Sequence, residues 1–419
     1  MGVEVVVDGL SKSFGAQTIW RDVSLTLPSG EISVLLGPSG TGKSVFLKSL
    51  VGLLKPEQGK VVINGTDICT CSESDLYEVR KLFGVLFQDG ALFGSMNLFD
   101  NIAFPLREHT RKSESEVRDV VLEKMEMVGL IGAEDKLPGE ISGGMRKRAG
   151  VARALVLDPE IILFDEPDSG LDPVRTALFN QLIVDLNAQT DATFLIVTHD
   201  INTARTVPDN IGMLYRRNLE MFGPREVLLT SDEKAVVQFL NGRPDGPIGM
   251  TEEKDTAVVE AELARNGEAS VPPMMPQLDV SPGLPQRAAV RRRKDRVLNQ
   301  LRSLSPTAQE EILKSLTPEE LALYGYQTPA TGGWPQGASQ RSPQPAPQQQ
   351  PPRPAQPSQQ PRSAPQQPAA PPPPQQGKPT PYPRGQQQEE PAWPGGLRPE
   401  EDSAGEPKKR WFGRKRGEQ

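Results

Sequence analysis

Over the first 242 residues, short apolar runs alternate with mixed apolar and polar stretches and with Gly- and Asp-containing turns. ISVLLG (32–37), IILF (161–164) and FLIV (194–197) are strand length, and IILF reads as a parallel strand buried on both faces. VFLKSLVGL (45–53) follows the first run and predicts a helix. Such an alternation predicts an α/β domain. Its last ordered piece is REVLLTSDEKAVVQFLNG (225–242), so the domain is taken as residues 1–243.

The pattern breaks near Gly242. Residues 244–287 are mostly polar or small and read as a flexible linker. AAVRRRKDRVLNQLR (288–302) predicts a basic helix. Within 303–323, Ser305 precedes Pro306, and Thr317 precedes Pro318 with Glu320 three positions on, two helix starts with capping chemistry. These helices are too short to stand alone and either dock or form transiently. Residues 324–419 read as a Pro/Gln-rich disordered tail, because 21 of the 42 prolines fall within 341–419 and leave too little apolar surface to offset chain entropy. Its end, KKRWFGRKR (408–416), suits an anionic membrane surface or a solvated terminus.

Composition narrows the function. The net charge is -7 and the first 240 residues show no basic face, which argues against a nucleic-acid partner. No apolar run approaches the roughly 20 residues that a membrane span needs, and no signal segment is seen, so a membrane role requires a partner. Cys69 and Cys71 read as reduced thiols near a hairpin, with no ligand set around them.

The chemistry is concentrated in three places. GPSGTGKS (37–44) lies between a strand and a helix, where glycines let backbone N–H groups wrap a phosphate. Gly37, Ser39, Gly40, Thr41, Gly42 and Val45 would line that cradle, Lys43 would reach the β- and γ-phosphates, and Ser44 would bind Mg²⁺. Asp165 and Glu166 end the strand IILF, the edge where open α/β sheets set their sites: Asp165 supports the metal and Glu166 polarises water. His199 ends another apolar strand.

With ISGGMRKRAGVARAL (141–155), these segments resemble the nucleotide-binding subunit of ABC transporters over residues 3–242. The signature is usually L-S-G-G-Q, whereas this chain carries Ile141 and Met145. The resemblance implies a P-loop fold of ABC type, with an antiparallel β-subdomain and a helical signature subdomain. It implies ATP and Mg²⁺, and a homodimer in which Ser142, Gly143 and Gly144 of one copy cap the γ-phosphate held by the other. Gln88 corresponds to the glutamine that contacts Mg²⁺ and senses the permease, Asp172 of SGLD to the acid of the interface loop, and His199 to the histidine on the γ-phosphate and water. Phe14 corresponds to the aromatic that stacks on adenine, although it could equally fill a small β-subdomain core. Asp168 stands where many relatives have threonine or serine, and either tunes the site or faces solvent.

QDGALFGSMNLFDNIAFPL (88–106), SGGM-x-KR (142–148) and DEPDSGLDP (165–173) are similar to the ATPases of mammalian-cell-entry (Mce) systems, related to Mla-type lipid transport ATPases. That similarity implies work at the cytoplasmic face of the inner membrane, with integral permeases of the YrbE/MlaE type and, indirectly, Mce lipid-binding proteins. The expected task is import of fatty acid, sterol or another lipid. The alternative is an ABC importer for small polar solutes.

Overall fold

The computed structural model describes residues 2–249, 259–260, 264 and 273–323. The apolar runs become the middle of a sheet. Ile32–Leu36 (β3) and Thr193–Val197 (β8) are buried at every residue, and Ile161–Asp165 (β7) at all but the last. Phe83–Leu86 (β6) lies beyond β7, and Asn210–Tyr215 (β9) and Asn218–Pro224 (β10) lie beyond β3. The order is β10-β9-β3-β8-β7-β6, parallel throughout except for β10. Burial on both faces selects this parallel arrangement. It also brings the C-terminal ends of β6, β3, β7 and β8 to one edge, from which Gln88, the loop at 37–42, Glu166 and His199 emerge.

A second sheet is antiparallel. Val5–Phe14 (β1), Gln17–Leu27 (β2), Gln58–Ile63 (β4) and Thr66–Asp67 (β5) run in the order β2-β1-β4-β5. Its Trp20 is fully buried, edge-on to Phe46 with ring centroids 6.1 Å apart. Phe46 lies in Lys43–Leu50 (α1), so the β-subdomain braces the helix that follows the glycine loop. Glu73–Arg80 (α2) follows the free thiols Cys69 and Cys71.

Leu98–His109 (α3), Glu114–Met127 (α4) and Gly143–Leu155 (α5) form the helical part, with Ile102, Val117, Val121, Met125 and Val151 in one core. Pro173–Thr190 (α6), Ile201–Thr206 (α7), Arg225–Leu229 (α8) and Lys234–Asn241 (α9) complete the body. Helix starts follow capping chemistry: Ser113 and Glu116 form a capping box, and Asn97, Ser142, Asp172 and Asp200 each accept a first-turn N–H.

The segment read as a flexible linker differs from that reading in its described part. Residues 273–287 lie against the body: Leu278 N–H donates to Thr206 O at 2.8 Å, Ser281 Oγ donates to Asp185 Oδ2 at 2.6 Å, and Gln277 Nε2 donates to Val207 and Pro208 carbonyls. Polar side chains and backbone do the fixing, and these leave no hydrophobic period in the sequence. Ala288–Gln300 (α10), Pro306–Lys314 (α11) and Pro318–Leu323 (α12) follow, with Val297, Leu298, Leu301 and Ile312 packed together. Ser305 caps α11, and Thr317 and Glu320 exchange backbone N–H bonds at the start of α12.

A set of buried charges seats α10. Asp209 is fully buried; its carboxylate accepts from Ile32 N–H at 2.9 Å, Arg293 Nη1 at 3.0 Å, Gln277 Nε2 at 3.2 Å and the Arg287 guanidinium. Glu31, also fully buried, takes both terminal nitrogens of Arg296. Among the described residues no helix is long and apolar enough to cross a membrane. The Pro/Gln-rich tail and KKRWFGRKR lie outside the described residues.

Candidate functional site

The loop after β3 is shaped by its glycines. Gly42 has φ +86°, and a Cβ there would come within 2.2 Å of Ile19 Cγ2. At Gly37 a Cβ would meet Leu214 O at 2.5 Å. Glycine alone fits both places without displacing neighbours. Ser39 and Gly40 are exposed, Thr41 Oγ1 donates to Pro38 O at 3.0 Å, and Val45 packs behind the loop on the apolar core.

Lys43 folds back over this loop, its Nζ donating to Gly37 O at 2.8 Å and Pro38 O at 3.0 Å. Burial pushes its pKa down, opposed by Glu166, Asp165 and Asp168. Ser44 Oγ donates to Asp165 Oδ1 at 2.8 Å, and burial pushes the Asp165 carboxyl up while that bond opposes the shift. A hydroxyl and a carboxylate side by side are hard oxygen donors of the kind Mg²⁺ takes together with substrate phosphates. Among the described residues there is no cluster of three His, Cys, Asp or Glu side chains that could hold a metal ion.

Glu166 sits just past β7 with φ +45°, a costly conformation for a non-glycine residue, and its N–H donates to Val197 O at 2.9 Å. Its Oε1 lies 3.5 Å from His199 Nδ1, and the histidine is exposed at the mouth of the site. Thus Lys43, Ser44, Asp165, Glu166 and His199 converge at one edge of the sheet.

Other residues singled out from the sequence are exposed or engaged locally. Gln88 is exposed, its Nε2 donating to Ser169 Oγ at 3.3 Å. Phe14 is 47% exposed rather than filling the β-subdomain core, with Lys12 Nζ 5.2 Å from the ring centroid. Ser142 is exposed and accepts from Met145 N–H at the start of α5, with Gly143 and Gly144 beside it. Asp172 accepts from Val174 N–H and Arg175 N–H as the cap of α6.

Two side chains gained a place that the sequence left open or missed. Asp168 is buried, both its oxygens within 2.8 Å of Thr198 Oγ1, and burial raises its pKa. Lys147 is buried on α5, donating to Glu166 O at 3.2 Å and Pro167 O at 2.8 Å. The departure at position 168 was visible in sequence, but nothing there linked it to Thr198.

A parallel sheet with a glycine loop, a lysine and a Ser/Asp pair at its C-terminal edge, flanked by a separate helical unit opening with Ser-Gly-Gly, defines a P-loop nucleotide-binding fold with a signature helix. A family profile described as "ABC transporter" matches residues 20–169. The probable ribonucleotide transport ATP-binding protein mkl of Mycobacterium tuberculosis is 66% identical over 323 residues, covering 75% of this chain and 90% of that one. The intermembrane phospholipid transport system ATP-binding protein MlaF is 43% identical in Haemophilus influenzae and 40% in Escherichia coli, covering 58% of this chain and 92% and 91% of theirs. A bacterial ABC transporter cassette solved as a dimer superposes with TM-score 0.50 at 30% identity, covering 53% of this chain and 98% of that one. The chain belongs to the ATP-binding proteins of ABC transporters, and it binds and hydrolyses ATP as the ATPase subunit of a transporter.

Proposed function

We propose that the transporter moves lipids, and that this chain drives it as a homodimer at the cytoplasmic face of the inner membrane. Integral permeases of the YrbE/MlaE type are its direct partners, and Mce lipid-binding proteins its indirect ones. The likeness to two phospholipid-transport ATPases, 40–43% identical over 244–245 residues, carries the lipid reading. A second support is the apolar segment 88–107, where Phe93 is exposed with its ring 5.1 Å from that of Phe104, and Leu92, Met96 and Phe99 are half-buried. Apolar side chains gathered at a surface suit a permease helix.

In the hydrolytic cycle Phe14 stacks on adenine while the 37–45 loop and Lys43 hold the phosphates. Ser44 and Asp165, with Gln88, would hold Mg²⁺, which would offset charge on the phosphate oxygens. Glu166 and His199 orient the attacking water in line with the leaving group. Ser142, Gly143 and Gly144 donate backbone N–H groups, at the N-terminus of α5, to the γ-phosphate held by a second copy. Asp172 fixes the start of α6 at that junction. Loss of the γ-phosphate bridge lets the pair reopen, a two-state cycle that a bound permease follows.

A second reading, transport of a polar solute, draws support from the 66% identical mycobacterial relative, a probable ribonucleotide transport ATP-binding protein. Purifying the tagged chain from mildly solubilised native membranes and identifying its companions by mass spectrometry tests both. ATP hydrolysis by that complex is then measured with phospholipid or fatty-acid vesicles and with ribonucleotides. Cell-entry-type proteins with lipid-stimulated hydrolysis support the lipid reading. A solute-binding protein with ribonucleotide-stimulated hydrolysis overturns it in favour of the second.

A further inference from the structure

The turn that follows Glu166 is tied down from three directions. Lys147, on α5, donates to the carbonyls of Glu166 and Pro167 at 3.2 and 2.8 Å. Thr198, the residue before His199, puts its hydroxyl 2.8 and 2.7 Å from the two Asp168 oxygens and accepts the Asp200 N–H at 2.9 Å. Gln88, after β6, donates to Ser169 at 3.3 Å. Thr198 is fully buried, and Lys147 and Asp168 are 5% and 8% exposed, so water does not substitute for these bonds at little cost.

We infer that Thr198, Asp168 and Lys147 are positioning residues for ATP hydrolysis: together they hold the Glu166 turn against His199 and join the signature helix to that turn. The reasoning starts at the Glu166 backbone. A φ of +45° persists in a non-glycine residue only where its surroundings over-determine it. The lysine fixes the two carbonyls at the turn's start, and the Asp168–Thr198 bond fixes the next residue to the strand end that carries His199. The Glu166–His199 separation of 3.5 Å is set by that closed loop of contacts. A signature helix that shifts on meeting a second copy pulls on Lys147, and so on the turn bearing Glu166. Closure over one nucleotide is thereby felt at the other.

None of the three tethers is bonded to the 37–45 loop or to Phe14, so nucleotide affinity and turnover should separate. Asp168 also acts electrostatically on Lys43, whereas Thr198 carries no charge, so Thr198 is the cleaner probe. This inference rests on Glu166 and His199 serving the attacking water. The full-length chain is assayed for ATP hydrolysis as wild type, Glu166→Gln, Thr198→Val, Thr198→Ser, Asp168→Asn, Lys147→Met and the Asp168→Asn/Thr198→Val double variant, with melting temperature measured for each.

Thr198→Val and Lys147→Met are expected to lower kcat by about tenfold to a hundredfold, the scale of a misplaced catalytic group, with KM for ATP within about twofold of wild type. Thr198→Ser keeps the hydroxyl and stays within about twofold of wild-type kcat. The double variant loses no more than the worse single one, because groups acting as a unit are not additive. Equal kcat in Thr198→Val and wild type, equal loss in Thr198→Ser and Thr198→Val, or a loss confined to KM overturns the inference. Should Thr198→Val not fold, Lys147→Met against wild type decides by the same split. Glu166→Gln hydrolysing as fast as wild type would instead overturn the reading of Glu166 itself.

Discussion

Asp209→Asn is the substitution whose cost follows most directly from the structure. The side chain keeps its shape and an acceptor oxygen for Ile32 N–H, but the charge that faces Arg287 and Arg293 disappears. Both guanidinium groups are 2% exposed, so they are left buried beside a neutral amide, with Glu226, 3.2 Å from Arg293 Nε, as the remaining carboxylate. Removing one member of a buried ion pair costs about 3–5 kcal/mol, against roughly 0–1 for an exposed pair. The loss is therefore expected near about 3–5 kcal/mol in urea unfolding at pH 7. Adding Arg287→Met should restore part of it, since the cation whose ion pair ran to Asp209 is then gone. The pH dependence has a definite sign. Burial raises the Asp209 pKa, but Arg287 and Arg293 more than offset it and hold the carboxyl below its ordinary value. A depressed carboxyl contributes stability above its unfolded pKa of about 3.9 and loses it as pH falls through the folded value. The difference between Asp209→Asn and wild type should be flat from about pH 5 to 8 and shrink only below about pH 4. A loss under about 1 kcal/mol at pH 7 would show that α10 does not seat on Asp209 as described.

Further outcomes follow from the nucleotide site. Lys43→Met removes the cation from the phosphate loop and should lower ATP hydrolysis at least about a hundredfold, read in a phosphate-release assay. Phe14→Ala should weaken ATP binding by about 1–3 kcal/mol, the scale of base stacking on a ring, with little change in melting temperature because the ring is 47% exposed; isothermal titration measures it. Gly42→Ala meets both a φ of +86° and a contact of 2.2 Å with Ile19, and should abolish detectable ATP binding in the same titration.

The parts of the molecule that the sequence made legible are those where the backbone does the work. GPSGTGKS announced its loop because only glycine tolerates the φ of Gly42 and the approach of Leu214 O to Gly37. The runs at 32–37 and 161–164 announced β3 and β7 because strands covered on both faces have no polar side to show. Thr317 with Glu320 gave away the start of α12 by a local rule. What stayed hidden depends on long-range side-chain pairing. Asp168 and Thr198 are 30 residues apart, and Asp209 and Arg293 are 84 apart, with no period or spacing to join them. For the same reason residues 273–287 read as linker: Gln277 and Ser281 find partners only once the body exists. The 66% identical relative matches over 323 residues, more than the 243 assigned to the ATPase domain, whereas the MlaF matches extend over 244–245 residues. The seating of α10 thus falls in a stretch that this chain shares with the mycobacterial protein.

The proposed homodimer, with two nucleotide sites each built from the 37–45 loop of one copy and the Ser142–Gly144 turn of another, is the centre of the account. Sedimentation velocity of the full-length Glu166→Gln chain, with saturating Mg²⁺-ATP and then with Mg²⁺-ADP, tests this most directly, because the variant leaves the 37–45 loop and the Ser142–Gly144 turn unchanged and, on the proposed role of Glu166, spares the γ-phosphate. The account predicts a dimer with ATP that dissociates toward monomer with ADP. A monomer in saturating ATP, with binding verified in the same sample, would contradict it.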